Sequence, residues 1–189
     1  GPAGEKAAVK AAYFGYKVAI IEKEELFGGA GTVTGTLPSK TLRETALYFS
    51  DKLEKGLYGI DRTFSQEASM TDFMYRKNLV KDSSSKEVFD NLSRHHVSIF
   101  YGVASFEDAH TLHVQGKDHI SLFGEYIIIA TGSYQKKKKN IPFDSKRVHD
   151  SDTILQLTRH PSSLCIVGAG VIGCEYATIF ATIGTHVYL

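Results

Sequence analysis

The sequence predicts an α/β fold. Short apolar runs rich in β-branched residues alternate with helical segments. Near each end of the 189 residues a glycine-rich turn opens a helix, and each helix leads into a strand-like run. Between these two units the hydrophobic period shortens to that of an antiparallel meander. Parallel strands with crossover helices, plus a small meander, are the architecture such a pattern implies.

Each element has its own signal. Gly1-Pro2-Ala3-Gly4 leads into an alanine-rich helix over 5–14, which Gly15 closes. The run KVAIIE, 17–22, reads as a buried strand. A glycine-rich stretch covers 28–35. Pro38 opens a second helix, with Leu42, Ala46, Phe49 and Leu53 on one face. Residues 55–69 read as loop and 71–94 as a polar helix, in which Phe73, Val80, Phe89 and Leu92 partly align. Ser83-Ser84-Ser85 disfavours the middle of that helix. From 97 to 129 the runs VSIFYG, TLHVQ, HISLF and EYIIIA describe a meander that returns to a buried strand, ended by Thr131-Gly132.

The segment 133–161 is polar and irregular, broken by Pro142 and Pro161. Then 164–167 reads as strand, 168–173 as turn and 174–183 as helix. Gly184 stops that helix, and 186–189 begins the next strand. The first unit lacks an opening strand and the second stops inside its second strand. The expectation is therefore a piece of a longer polypeptide, with one domain over 1–152 and the start of another over 153–189.

Composition narrows the function. Hydrophobic residues make up 42% and charged residues 23%, as in an ordinary globular protein. A net charge of +1 supplies no field to recruit nucleic acid or an anionic membrane. No apolar run reaches the ~20 residues that span a bilayer, and no secretory signal opens the chain. Two cysteines, Cys165 and Cys174, are too few for a disulfide framework and point to a reducing, cytoplasmic setting. Both read as small packing residues. His95, His96, His110, His113 and His119 lack the spacing of a metal site, so no metal is expected. The basic run 136–139 reads as a solvated loop.

The chemistry sits in the glycine turns. Gly168-Ala169-Gly170-Val171-Ile172-Gly173 follows a strand and opens a helix. The first glycine allows the tight turn, the second lets backbone approach a diphosphate, and the third lets helix pack on sheet. The free amides and dipole of the helix start, with Val171 and Ile172 in the first turn, then hold the phosphates. Gly1-x-x-Gly4 is the end of the same pattern. Glu22 stands 18 residues after Gly4 at a strand end, where a carboxylate bonds a ribose hydroxyl, with Lys23 beside it. Both units are thus Rossmann-like dinucleotide sites.

Gly1-Pro2-Ala3-Gly4, Glu22, the run Gly28-Gly29-Ala30-Gly31-Thr32-Val33-Thr34-Gly35-Thr36-Leu37-Pro38-Ser39-Lys40 and Ala130-Thr131-Gly132 resemble the flavoprotein disulfide reductases. These class I pyridine nucleotide-disulfide oxidoreductases include lipoamide dehydrogenase, glutathione reductase and mercuric reductase. The stretches 35–40, 149–152 and 168–180 resemble the soluble transhydrogenase branch in particular. The resemblance implies an FAD-binding domain followed by the start of an NAD(P)-binding domain. It places Gly28, Gly29, Gly31, Thr36, Ala104, Thr131 and Gly132 against FAD. Lys40 is placed near the flavin's central nitrogen, paired with Glu175, as the catalytic candidates.

Where the family carries two redox cysteines, this sequence has Gly31 and Thr36. Thr36 agrees with the transhydrogenase branch, while Gly31 departs from it. Neither residue forms a thiolate, so a disulfide relay is excluded. Hydride exchange between NAD(H) and NADP(H) through FAD needs no thiol. The expected function is therefore transhydrogenation in a homodimer or larger homo-oligomer, with these residues alone inactive. The alternatives are a flavoprotein reductase with another acceptor, such as a quinone or oxygen, and a non-catalytic nucleotide-binding module.

Overall fold

The computed structural model describes residues 1–50, 69–117, 119–137 and 139–189. Two compact units divide them. One comprises 1–33 and 82–134, the other 34–81 and 135–189. The expected loop over 55–69 and the helix-face residue Leu53 fall outside the described residues, apart from Ser69.

In the first unit, α1 spans Pro2–Tyr13. It begins earlier than its alanine run because Pro2 is pre-set for a first turn. Gly15, at φ 88°, ends it. Its amide bonds Ala12 O at 2.9 Å and the Tyr16 amide bonds Ala11 O at 3.2 Å, closing a Schellman motif. Strand β1, Ala19–Glu22, is shorter and less buried than its apolar run implies, with Ala19 exposed. The short helix α2, Gly29–Val33, occupies part of the glycine-rich stretch.

Strand β2, Ser98–Phe106, divides its partners. Its first half runs parallel to β1, from Ala19↔Ser98 to Glu22↔Tyr101. Its second half is antiparallel to β3, Thr111–Gly116, from Gly102↔Gly116 to Phe106↔Leu112. Strand β4, Ile120–Phe123, completes the order β1-β2-β3-β4. The core holds Ala8, Phe27, Leu92 and Val97. The expected buried strand EYIIIA does not form. Residues 125–130 join no ladder, and Ile128 and Ile129 are 67% and 71% exposed. A strand exists only where its amides and carbonyls find partners, and no described strand flanks this run.

Helix α4, Met70–Arg94, runs unbroken through Ser83-Ser84-Ser85, against the expectation of a weak middle. Ser69 and Asp72 cap it reciprocally, the Ser69 amide to the carboxylate at 2.8 Å and the Asp72 amide to Ser69 Oγ at 3.2 Å. Ser85 is buried, and its hydroxyl accepts a hydrogen bond from the Phe27 amide at 2.8 Å. A hydroxyl with a tertiary partner does not compete with the helix ladder.

In the second unit, α3 spans Thr36–Phe49 and packs on α5, Val171–Thr182. Pro38 lies inside the first turn of α3, where a missing N–H costs nothing. Strands β5, Ser163–Cys165, and β6, His186–Tyr188, pair in parallel from Ser163↔His186 to Cys165↔Tyr188. A 3₁₀ turn covers Thr153–Gln156 within the irregular segment. Leu42, Ala46, Phe73, Met74, Leu155, Tyr176, Ile179 and Phe180 belong to its core. Phe180 is fully buried, and its truncation to alanine costs about 3–5 kcal/mol by the usual cavity penalty. Lys77, 6% exposed, donates to Leu155 O at 2.8 Å. Cys165 and Cys174 are both exposed, not packed. Among the described residues β5 pairs with β6 alone, and Cys174 is exposed on α5.

Candidate nucleotide sites

Each unit presents one helix start lined by glycine. In the second unit, β5 leads through 166–170 into α5, and β6 follows, giving the strand–turn–helix–strand order. Gly168 sits at φ +114°, a conformation that other residues rarely adopt. Gly170 is the N-cap of α5, with open space where a Cβ would be. Gly173 has none, because its Cβ would overlap the carbonyl oxygen of Gly168. Turn, approach and packing are thus divided among three glycines. The first α5 bond runs from the Cys174 amide to Gly170 O at 2.9 Å. The amides of Val171, Ile172 and Gly173 precede that ladder at the positive end of the helix. An anionic diphosphate fits this open, donor-rich turn.

Two contacts hold the segment around Asp150 and Ser151 in the second unit. Tyr176 is buried and its hydroxyl donates to Ser151 O at 3.1 Å. Burial, then the charges of Glu175 and Asp152, push its phenol far above the usual range. Asp150 Oδ1 accepts from the Thr153 amide at 2.8 Å, and Thr153 Oγ1 accepts from the Asp150 amide at 2.9 Å. Lys137 Nζ forms an ion pair with Asp150 Oδ2 at 2.9 Å. Burial raises the Asp150 carboxyl, but Lys137, Thr153 and Gln135 outweigh it and hold the group well below the usual carboxylate range. One member of the basic run therefore closes a loop. Neither role was legible in the sequence, since Tyr176 and Asp150 depend on partners remote in sequence, Ser151 and Lys137.

In the first unit, the glycine-rich turn lies against the start of α1. Gly28 at φ +102° and Gly29 at φ +57° turn the chain there. A Cβ on Gly28 would overlap the Thr32 side chain, and one on Gly29 would lie 2.8 Å from Gly1 Cα. The first α1 bond is the Glu5 amide to Gly1 O at 3.1 Å, which leaves the amides of Ala3 and Gly4 ahead of the ladder. Gly4 faces Ala130, its Cβ position 3.5 Å from the Ala130 Cβ. This close, glycine-only cradle at a helix start fits a dinucleotide diphosphate.

Glu22 ends β1, and its carboxylate accepts the amides of Lys23 at 2.9 Å and Glu24 at 3.1 Å. Lys23 is exposed and paired with Glu24 at 3.5 Å. Ala104 lies exposed on β2 opposite Val114, and Thr131 and Gly132 lie exposed beyond the Ile127–Ala130 run. Gly31 sits in α2 with open space at its Cβ position. Thr36 begins α3, and Lys40 is exposed in that helix. Glu175 is half-buried on α5, and among the described residues no ion pair joins it to Lys40. Among the described residues no group of histidine, cysteine and carboxylate side chains could hold a metal. No described helix is long and apolar enough to cross a membrane.

A family model described as pyridine nucleotide-disulphide oxidoreductase matches residues 1–189. The chain belongs to this family. The family is FAD-dependent with NAD(P)H as substrate. A soluble pyridine nucleotide transhydrogenase of Mycobacterium bovis is 41% identical over 190 residues, covering 99% of this chain and 41% of the relative. Another of that name from Yersinia pestis is 39% identical over 191 residues, covering 100% of this chain and 41% of the relative. The chain thus spans about two fifths of the length of these relatives. Among solved structures, the HOCl-induced flavoprotein disulfide reductase RclA from Escherichia coli matches with a TM-score of 0.82 and 31% identity. That match covers 99% of this chain and 39% of the other. These findings agree with the resemblance read from the sequence and with an α/β, Rossmann-like fold.

Proposed function

We propose that the polypeptide containing these residues transfers hydride between NADPH and NAD⁺ by way of FAD, without a redox disulfide. One observation carries the reading: both helix starts are lined by glycine, while the positions that resemble the family's two cysteines hold Gly31 and Thr36. When bound, FAD supplies the hydride acceptor and donor, so no thiol is required. The first-unit cradle of Gly1, Gly4, Gly28 and Gly29 would hold its diphosphate, and Glu22 its ribose. Ala104, Thr131 and Gly132 would line its adenine and flavin ends. Gly168, Gly170 and the amides of 171–173 would hold the nicotinamide nucleotide. The Lys40 ammonium would favour negative charge at the reacting face, with Glu175 setting its direction.

The relatives at 39–41% identity carry the transhydrogenase name and support this reading. A reductase with another acceptor is the second reading, favoured by Gly31, which departs from the transhydrogenase branch. We further propose a division near residue 152 into FAD and NAD(P) domains, assembly as a homodimer or larger homo-oligomer, and a cytoplasmic setting. The test is the full-length polypeptide. Flavin absorbance after purification and NADPH-dependent reduction of an NAD⁺ analogue support the reading. Absence of bound flavin, or NADPH oxidation only with a quinone or oxygen, overturns it.

A further inference from the structure

We propose that Ser85 and Asn91, both on the second half of α4, are positioning residues for the flavin diphosphate. This rests on the FAD reading of the first-unit cradle. The cradle has two walls, the glycine-rich turn ending in Gly29 and the start of α1. They meet so closely that the Cβ absent from Gly29 would stand 2.8 Å from Gly1 Cα. A site built from backbone amides has no side chains to adapt, so its geometry is set by how the walls are held apart.

Residues 82–94 of α4 hold both walls. The Phe27 amide, next to Gly28, donates to Ser85 Oγ at 2.8 Å in a buried bond. Asn91 Nδ2 donates to Glu5 Oε1 at 2.8 Å, one turn into α1. Glu5 and Ser85 are 8% and 5% exposed, so neither bond is readily replaced by water. On the same stretch of α4, Leu92, 1% exposed, shares a core with Ala8 of α1 and Phe27 of the turn. The Asn91 bond has an electrostatic side as well. Glu5 is a carboxylate at the helix end proposed to receive an anion. Asn91 and Lys6 Nζ, at 3.0 Å, both draw on the same oxygen, Oε1. Two donors on one oxygen fix its rotamer and offset its charge.

The test measures FAD dissociation from the full-length protein by flavin fluorescence, beside thermal unfolding of the FAD-free form and turnover at saturating FAD. S85A and N91A should each weaken FAD by about tenfold, and the double variant by about a hundredfold, since the bonds are separate. N91D, which sets a second carboxylate against Glu5, should make the loss smaller at low pH than at neutral pH. Turnover at saturating FAD should stay within about twofold, because the residues act through the cradle and not on the reacting atoms. M74A, in the core of the other unit, should lower the unfolding temperature while leaving FAD affinity unchanged. Unchanged FAD affinity in S85A and N91A overturns the proposal while leaving the FAD reading intact. Affinity that merely tracks unfolding temperature across all variants, M74A included, also overturns it. A wild-type protein that takes up no FAD overturns both.

Discussion

Gly173 lies with its bare Cα against the carbonyl oxygen of Gly168, so close that a β-carbon would overlap that oxygen. The neighbour is backbone, fixed by β5 on one side and α5 on the other, and cannot rotate away. G173A should therefore move α5 off the turn. The expected cost is about 1–3 kcal/mol, the usual range for overpacking, read as a lower urea midpoint with unchanged slope. The affinity for NAD(P)H should fall in parallel, because the first-turn amides move with the helix.

Gly170 offers the contrast. It is extended at φ −77° and ψ 178°, and its Cβ position is empty. G170A meets neither strain nor overlap, so the cost should be limited to the ~1 kcal/mol of exchanging a glycine N-cap for alanine. The methyl would instead project into the space proposed for the diphosphate. The KM for the nicotinamide nucleotide should rise by about tenfold or more, equal to ~1.4 kcal/mol of lost binding. G170A with wild-type KM would sink the assignment of this turn, whereas G173A alone could not separate packing from binding.

The difference between these two glycines shows what sequence makes legible. The fingerprint's spacing names all three glycines, because turn, approach and packing follow from local geometry. The same locality exposed α1, α5 and the meander. It failed at 125–130, where an apolar run without pairing partners is no strand. It failed for Cys165 and Cys174 because exposure depends on what else covers β5 and α5. Ser83-Ser84-Ser85 misled for a related reason, since helix propensity does not register that Ser85 bonds Phe27, 58 residues away. Lys40 and Glu175 were named through resemblance alone, and the Lys40 position is a solvated one.

Tyr176 gives a pH prediction. Its hydroxyl donates to Ser151 O, and burial keeps the phenol protonated well above its ordinary range. The unfolded chain ionises near pH ~10. Above that pH the unfolded state binds fewer protons than the folded state, so the slope of stability with pH is negative. The contribution is fully present below pH ~10 and is lost as pH rises further. Y176F should cost about 1 kcal/mol at neutral pH through the lost bond. Urea midpoints of the two proteins should converge above pH ~10, as the wild type alone loses this contribution. Parallel midpoints up to pH ~11 would contradict the burial argument.

The exposed cysteines test the claim that no thiol takes part. In the full-length polypeptide the C165S/C174S variant should keep turnover within about twofold of wild type. Gly31 extends the test in the opposite direction. Open space at its Cβ position means that G31C should fold with stability within about 0.5 kcal/mol of wild type. It should gain one titratable thiol. Hydride exchange should persist, because Thr36 supplies no second thiol with which residue 31 could form the family's disulfide. If C165S/C174S abolished turnover while leaving FAD bound, sulfur chemistry would have to be restored to the mechanism.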